Sequence, residues 1–296
     1  MKKFNFILFL LISILFPIIS FTGCSDKKIS MYNIETKTIE KLDLEKYIAG
    51  VVAGEMYSSW PEEALKAQCV LARTFTMDFL ENKTSKYNGA DISNDISEAQ
   101  AYNSNLITDK IRKAVNDTKG QVVKSNNEYI NAWFHSNSGG VTENATIGLN
   151  YSDNEPDYIK SINSPENDSN SQNYNWEYTF SKSEILKALN SVGVSVNTIS
   201  TIKLGELSNT GRAITLLIGD KYVNANTFRL AIGSTKLKST LIKQISVSTD
   251  SVTFKGNGYG HGVGLSQWGA KILAEQGKDY NYILNYYFEN IQIVKI

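Results

Sequence analysis

Histidine and cysteine are almost absent from this 296-residue chain, each occurring twice. With Cys24 read as an anchor, only Cys69 remains, which leaves no intrachain disulfide framework and no cysteine-based zinc cluster, and neither H-E-x-x-H nor paired C-x-x-C spacing is present. An excess of either charge is missing too. Thirty Lys and Arg side chains balance thirty Asp and Glu, so no basic surplus points to nucleic acid. No internal repeat is visible. No register gives G-x-G-x-x-G, and although Gly264 and Gly269 have the separation of a P-loop, Ala270 stands where its lysine belongs. Nucleotide binding is therefore not expected.

Glycine is present at an ordinary level but concentrated in one place. Residues 256–270 (Gly-Asn-Gly-Tyr-Gly-His-Gly-Val-Gly-Leu-Ser-Gln-Trp-Gly-Ala) carry six glycines and one of the two histidines, His261. Glycine at alternate positions permits positive φ and close backbone approach, which suits a loop wrapped around a ligand or another segment. A purely structural turn is the alternative.

The N-terminus begins Met1-Lys2-Lys3, continues with a largely apolar run from Phe6 to Ile19, and ends in Ser20-Phe-Thr-Gly-Cys24. That is a basic segment, an apolar segment and a small-residue processing site. Phe-Thr-Gly-Cys resembles a bacterial lipobox, with Phe21 replacing the usual Leu, Val or Ile, and would make Cys24 the lipid anchor. An uncleaved membrane anchor is the alternative, though Ser13 and Pro17 make the run short for a span. Either way the bulk of the chain is expected to face outward from the cell membrane. Removing residues 1–23 takes two lysines and no acids, leaving 28 basic against 30 acidic side chains. The remaining length suits one large domain or two small ones.

Residues 24–39 read as a tether, with an edge strand at its end. From Leu42 to Met56, apolar residues recur at three- and four-residue steps, and Gly50 and Gly54 offer a smooth face for close packing. Ser59-Trp-Pro-Glu62 matches a capping box and predicts a helix through about Glu81, whose stripe Leu65, Cys69, Ala72, Thr76 and Phe79 makes Cys69 a core residue. Val122–Trp133 alternates like a strand. Residues 150–175 read as a long surface loop, a candidate substrate-side flap. Ser181-Lys-Ser-Glu184 opens another helix, residues 199–223 read as two strands around Ser208–Gly211, and Phe228–Ile232 as a short helix. A β segment at 241–254 leads into the glycine-rich stretch, and residues 269–288 predict a last amphipathic helix. Without regular βαβ alternation, this mixture predicts an α+β fold: helices and an irregular antiparallel sheet around one cleft, with residues 181–255 as a smaller inserted subdomain.

Among residues able to do chemistry, Glu55 follows Ile48, Val51 and Val52 by seven, four and three positions, which puts it on the apolar stripe of its helix. A carboxyl half-buried among aliphatic groups favours its neutral form, as a general acid near neutral pH requires. The competing reading is a helix-end glutamate that reaches water. His135 and His261 both fall in glycine-containing loops, where functional residues concentrate. Tyr57, Trp60, Trp133, Tyr259 and Trp268 offer flat faces for sugar rings, or equally belong to the core.

Three separated segments resemble the stage II sporulation protein D family: Val51-Val-Ala-Gly-Glu-Met56 with Glu63–Gln68 and Ala72-Arg-Thr74; Phe134-His-Ser-Asn-Ser-Gly-Gly-Val-Thr-Glu143; and Gly258–Ala270. Phe228–Gly233 and Leu237–Thr240 add to the match, which spans about residues 40–296, the expected catalytic domain. The resemblance implies a peptidoglycan lytic transglycosylase acting in sporulation engulfment on glycan strands stripped of their peptides. It implies membrane attachment, and a complex with an amidase and a second membrane protein. The family's catalytic glutamate maps onto Glu55. The resemblance further implies that His135, Ser136, Thr142, Tyr259, His261 and Gln267 position the sugar, and that Lys66 and Arg73 hold its polar substituents. Some relatives carry cysteines beside the two central motifs and bind zinc. Ala99 and Ser138 stand there in this chain, so zinc is doubtful and no cofactor is expected. A non-catalytic wall module that enhances an amidase is the rival from another class, and a zinc hydrolase the third reading.

Overall fold

The computed structural model describes residues 27–168, 170–172 and 174–296. The expected leader and the anchor Cys24 lie outside the described residues. Among those described, no helix is long and apolar enough to cross a membrane.

Helices and strands are mixed, as expected, but no single sheet organises them. The described strands form five small sheets of two or three strands each. Most pairs are antiparallel; Met31–Tyr32 with Ile92–Ser93, and Phe134–His135 with Leu265–Ser266, are parallel. The eight described α-helices are α1 (Leu44–Glu55), α2 (Glu62–Asn82), α3 (Asp109–Asp117), α4 (Ala145–Gly148), α5 (Lys182–Ser191), α6 (Ala225–Ile232), α7 (Gln267–Glu275) and α8 (Tyr280–Tyr287).

The centre is α2. Its Leu65, Cys69 and Ala72 pack into a core built mainly by residues 29–122, while Ala64, Ala67, Val70 and Leu71 join a second core with α7 and α8. A helix apolar on both faces is buried between layers. Cys69 has no exposure, and burial pushes its thiol up to about 12, so it is an inert core group. A third core, from Trp176 to Phe254, fills the space between the sheet 175–181/242–247/251–257 and helices α5 and α6.

Local departures from the sequence pattern have identifiable causes. The Ser59 capping box does not form: Pro61 is the N-cap of α2, with extended backbone and no side-chain cap. The Ser181–Glu184 box does form and starts α5. The expected strand 122–133 stops at Ser125, because Asn126 (φ 50°) and Asn127 (φ 67°) make a left-handed turn into Glu128–Tyr129. The expected helix 269–288 is two helices, broken at Gly277 (φ 80°) and restarted by the Asp279 cap onto Tyr282 N–H. The edge strand expected near residue 40 is half of a hairpin, Lys28–Asn33 with Thr38–Asp43, whose Ile29 and Met31 are buried.

Candidate active site

Glu55 is the last residue of α1, and Met56 leaves the helix in an extended conformation. The carboxyl is half-buried and accepts a hydrogen bond from the Ala101 backbone N–H at 2.8 Å. The glycines of α1 make that bond possible. A Cβ at Gly50 would lie 2.1 Å from the Tyr102 ring, and one at Gly54 would lie 2.9 Å from the Ala101 carbonyl. Residues 101–103 therefore lie directly on the glycine stripe, with Asn103 N–H bonded to Gly50 O at 2.9 Å. Gly50→Ala is expected to destabilise the protein by about 1–3 kcal/mol through overpacking against Tyr102, although alanine is the better helix former. Denaturant unfolding checks it, and a stabilised variant would contradict this packing.

Burial raises the pKa of Glu55. Its position at the negative end of the α1 dipole acts in the same direction. The Ala101 N–H and the nearby Gln267 amide oppose the shift without cancelling it. The Gln267 amide nitrogen is close enough to favour the ionised carboxylate yet makes no hydrogen bond of good geometry inside the protein.

Glu55 opens into a cleft of about 580 Å³. One wall is the chain from Ala53 to Ser58 with Trp60, the second is Asn105–Thr108, and the third brings Ser136, Tyr259, Gln267 and Trp268. Tyr57, Trp60 and Trp268 form a continuous aromatic array, with centroid separations of 5.5 Å and 4.9 Å between successive rings. Tyr57 is 60% exposed. Trp60 and Trp268 belong to the core behind it, and the exposed Tyr57 ring beside a half-buried acid suits a sugar, whose pyranose faces carry C–H groups. Among the described residues lining the cleft, Glu55 is the sole carboxylate.

Of the residues named from the sequence, Glu55, Ser136, Tyr259 and Gln267 meet in this cleft. The histidines stand behind it. His261 Nδ1 accepts from Val263 N–H at 3.0 Å, so its Nε2 carries the proton and donates to Phe134 O at 2.9 Å. His135 Nδ1 donates to Val263 O at 3.1 Å, and the rings meet edge to face at 5.5 Å. Burial, then the Arg229 guanidinium, pushes His261 down to about 3; burial, then His261, lowers His135 well below its ordinary value. Both are neutral cross-links between residues 133–135 and 261–265.

Lys66, Arg73 and Thr142 do not line the cleft. Lys66 Nζ lies 3.0 Å from each of Glu62, Glu63 and Asp117. Arg73 has no exposure: it grips Glu45 at 3.0 and 2.6 Å and donates to Gln121 O at 3.0 Å. Thr142 is equally buried, and its Oγ1 bonds the backbone of residues 160 and 162. Trp133 packs edge-on against Tyr151 and is not part of the aromatic array.

The glycines of 256–270 approach protein. A Cβ at Gly258 would meet the backbone of residues 137–139, at Gly260 the His135 side chain, at Gly262 the Arg212 guanidinium, and at Gly264 the Trp133 carbonyl, all within 3.0 Å at the nearest atom. The stretch is a clasp that carries Tyr259, Gln267 and Trp268 to the cleft.

Several structural residues escaped the sequence reading. Glu166, 2% exposed, accepts at Oε1 from Ser138 N–H (2.7 Å), Ser138 Oγ (2.6 Å) and Ser266 Oγ (2.5 Å), tying the 136–140 loop to the start of α7. Arg212 is buried on Gly262 and donates to Ser138 O at 2.5 Å. The stretch Asn105–Thr108 has no periodic pattern to announce it. Among the described residues, no group of three or more His, Cys, Asp or Glu side chains converges to hold a metal, and Ser138 Oγ is committed to Glu166.

Residues 32–124 match a family model described as stage II sporulation protein, and residues 122–264 match a domain of unknown function. The chain is 31% identical over 283 residues to the stage II sporulation protein D of Bacillus subtilis (strain 168), an alignment covering 91% of this chain and 79% of that protein. It is 32% identical over 285 residues to the Bacillus amyloliquefaciens protein of the same name, with the same coverage. A Bacillus subtilis (strain 168) protein named amidase enhancer is 30% identical over 293 residues, which is 81% of this chain but 39% of that protein.

Proposed function

The chain belongs to the stage II sporulation protein D family, and from that premise we propose that it is a lytic transglycosylase, cleaving the MurNAc–GlcNAc bond of peptidoglycan glycan strands. The observation that carries this reading is the single carboxyl in an aromatic-walled cleft. Two-carboxylate glycosidases place an acid and a nucleophile or base about 5–10 Å apart, and the cleft holds only Glu55. One carboxyl is enough when the substrate supplies its own nucleophile. Glu55 donates its proton to the glycosidic oxygen as the C1–O bond breaks, releasing the GlcNAc 4-hydroxyl. The MurNAc C6 oxygen then bonds to C1, and its proton passes to the Glu55 carboxylate. The product is a 1,6-anhydro-MurNAc end, no water is consumed, and the acid is restored.

Burial shifts Glu55 toward the protonated form that the first step needs. Tyr57, the exposed ring of the array, stacks on the glycan with the buried Trp60 and Trp268 supporting it from behind, and Ser136 and Tyr259 meet its polar groups. Lys66, Arg73 and Thr142 lie away from the cleft and His135 and His261 cross-link the chain behind it, so none of the five is assigned a contact with the sugar. In the cell the proposed setting is sporulation engulfment, on peptide-stripped strands, with the domain outside the membrane and held through residues 1–24. An amidase and a second membrane protein are the proposed partners.

The test is to incubate purified wild type and Glu55→Gln with peptide-free glycan strands and to look for anhydro ends by mass spectrometry. Wild type is expected to make them, and the variant to make essentially none. The relative named amidase enhancer favours a second reading, a non-catalytic wall module. That reading takes over if wild type yields no anhydro ends yet accelerates an amidase on intact sacculi.

A further inference from the structure

A carboxyl that acts first as acid and then as base needs a partner that tolerates both states. A backbone N–H can only donate, so the Ala101 contact at 2.8 Å favours the ionised form alone. A primary amide is different. Its nitrogen donates to a carboxylate, and after a half-turn its oxygen accepts from a carboxylic acid.

Gln267 is built for this. It is the first residue of α7, whose N-cap Ser266 receives Gly269 N–H at 3.3 Å and donates to Glu166 at 2.5 Å. Trp268 N–H is bonded to Ser136 O at 3.0 Å. The backbone on both sides is thus pinned, while the side chain, in a residue only 6% exposed, turns into the Glu55 cleft with its Nε2 unpartnered. A buried amide nitrogen with no partner is costly unless something answers it. The adjacent group able to do so is the Glu55 carboxyl. The titratable groups around that carboxyl are phenols: Tyr47 on α1, held neutral by burial, and Tyr57 and Tyr259 on the cleft walls. Glu98 acts on Tyr47. No cation contributes to the shift of Glu55.

We propose that Gln267 is the positioning residue of Glu55 in both protonation states, its amide nitrogen holding the carboxylate and its amide oxygen, after the side chain turns over, holding the acid. The inference rests on the transglycosylase reading for its catalytic meaning, but its test does not. Glu55 is followed by carbon-13 NMR titration of its side-chain carboxyl in the full protein without substrate. In Gln267→Met, the near-isosteric variant without a hydrogen-bonding group, both bonds are lost and the midpoint is expected to rise by about one pH unit, because the bond to the ionised carboxylate is the stronger of the two. Gln267→Glu should raise it further, because a second carboxylate disfavours ionisation of the first. On peptide-free strands, the Met variant should lose about tenfold in kcat with KM little changed, and its pH profile should move with the titration.

Midpoints unchanged from wild type, or lowered, in variants with normal thermal unfolding overturn the proposal. If the Met variant does not fold, the polar, isosteric Glu variant gives the same decision. A wild type that makes no anhydro ends would remove the transglycosylase reading, while the titration would still decide whether Gln267 governs Glu55.

Discussion

Glu45→Ala is expected to lower the unfolding free energy by about 3–5 kcal/mol, the cost of leaving a buried charge without its partner. Arg73 has no exposure, and Glu45 answers both its Nε and its Nη2. Glu45 also accepts from Gly120 N–H at 3.2 Å, so one carboxylate ties the first turn of α1 to the middle of α2 and to the chain entering the strand Gln121–Ser125. Removing it strands a guanidinium in the core and leaves that N–H short of a partner. The comparison is Lys66→Met. Lys66, 14% exposed, bridges three carboxylates that are 30–36% exposed near the start of α2; such solvent-reached pairs contribute roughly 0–1 kcal/mol each, and no partner is left in a sealed core when Lys66 is removed. Urea unfolding of the two variants should therefore separate them clearly. Near-equal small losses would mean that Arg73 is accessible in solution, and would restore the role in substrate binding that the family resemblance implies for it.

The second large effect is on turnover. Glu55→Gln removes the proton donor and acceptor together while keeping shape and size, so glycan cleavage should fall by at least the 10²–10⁴-fold typical of losing general acid–base catalysis. The same change should alter stability in a way that reports the environment of Glu55. The folded-state pKa of Glu55 lies above its unfolded value, so between those values the folded state binds more protons than the unfolded state. Stability from this group is then fully present below the unfolded pKa and is lost as pH rises through the folded pKa. Glutamine does not ionise. Glu55→Gln should accordingly match or trail wild type in acid and gain on it above the folded pKa, as read by thermal melts across pH. A pH-independent difference would mean that Glu55 is fully hydrated. Cleavage by wild type should decline on the alkaline side as the acid ionises, and that limb should lie above the usual carboxylate range.

The spacing of Ile48, Val51 and Val52 placed Glu55 among apolar groups, but α1 is buried on every face from Tyr47 to Ala53, so there is no single covered stripe for periodicity to mark. Gly50 and Gly54 announced a close approach but could not say by what. The answer, residues 101–103, lies 46 positions from Glu55 at the Ala101 contact, in a segment with no pattern of its own. The Ser181–Glu184 box was readable because a capping box is a purely local device, whereas the Ser59 box failed because Pro61 took the cap position. Alternating glycines in 256–270 signalled tight packing correctly. Whether a sugar or a neighbouring loop fills the space depends on contacts such as Gly262 with Arg212 and Gly260 with His135, and those exist only in the folded chain. His135 and His261 look like chemistry in a list of loop residues. Their hydrogen bonds to Val263 and Phe134 make them staples.

The central claim is that one carboxyl and the sugar's own hydroxyl suffice for cleavage. The most direct measurement is the mass of the new glycan ends formed in water enriched in oxygen-18. The account predicts 1,6-anhydro ends that carry no label, and none of them from Glu55→Gln. Reducing ends bearing one labelled oxygen, or anhydro ends made equally well by Glu55→Gln, would contradict it.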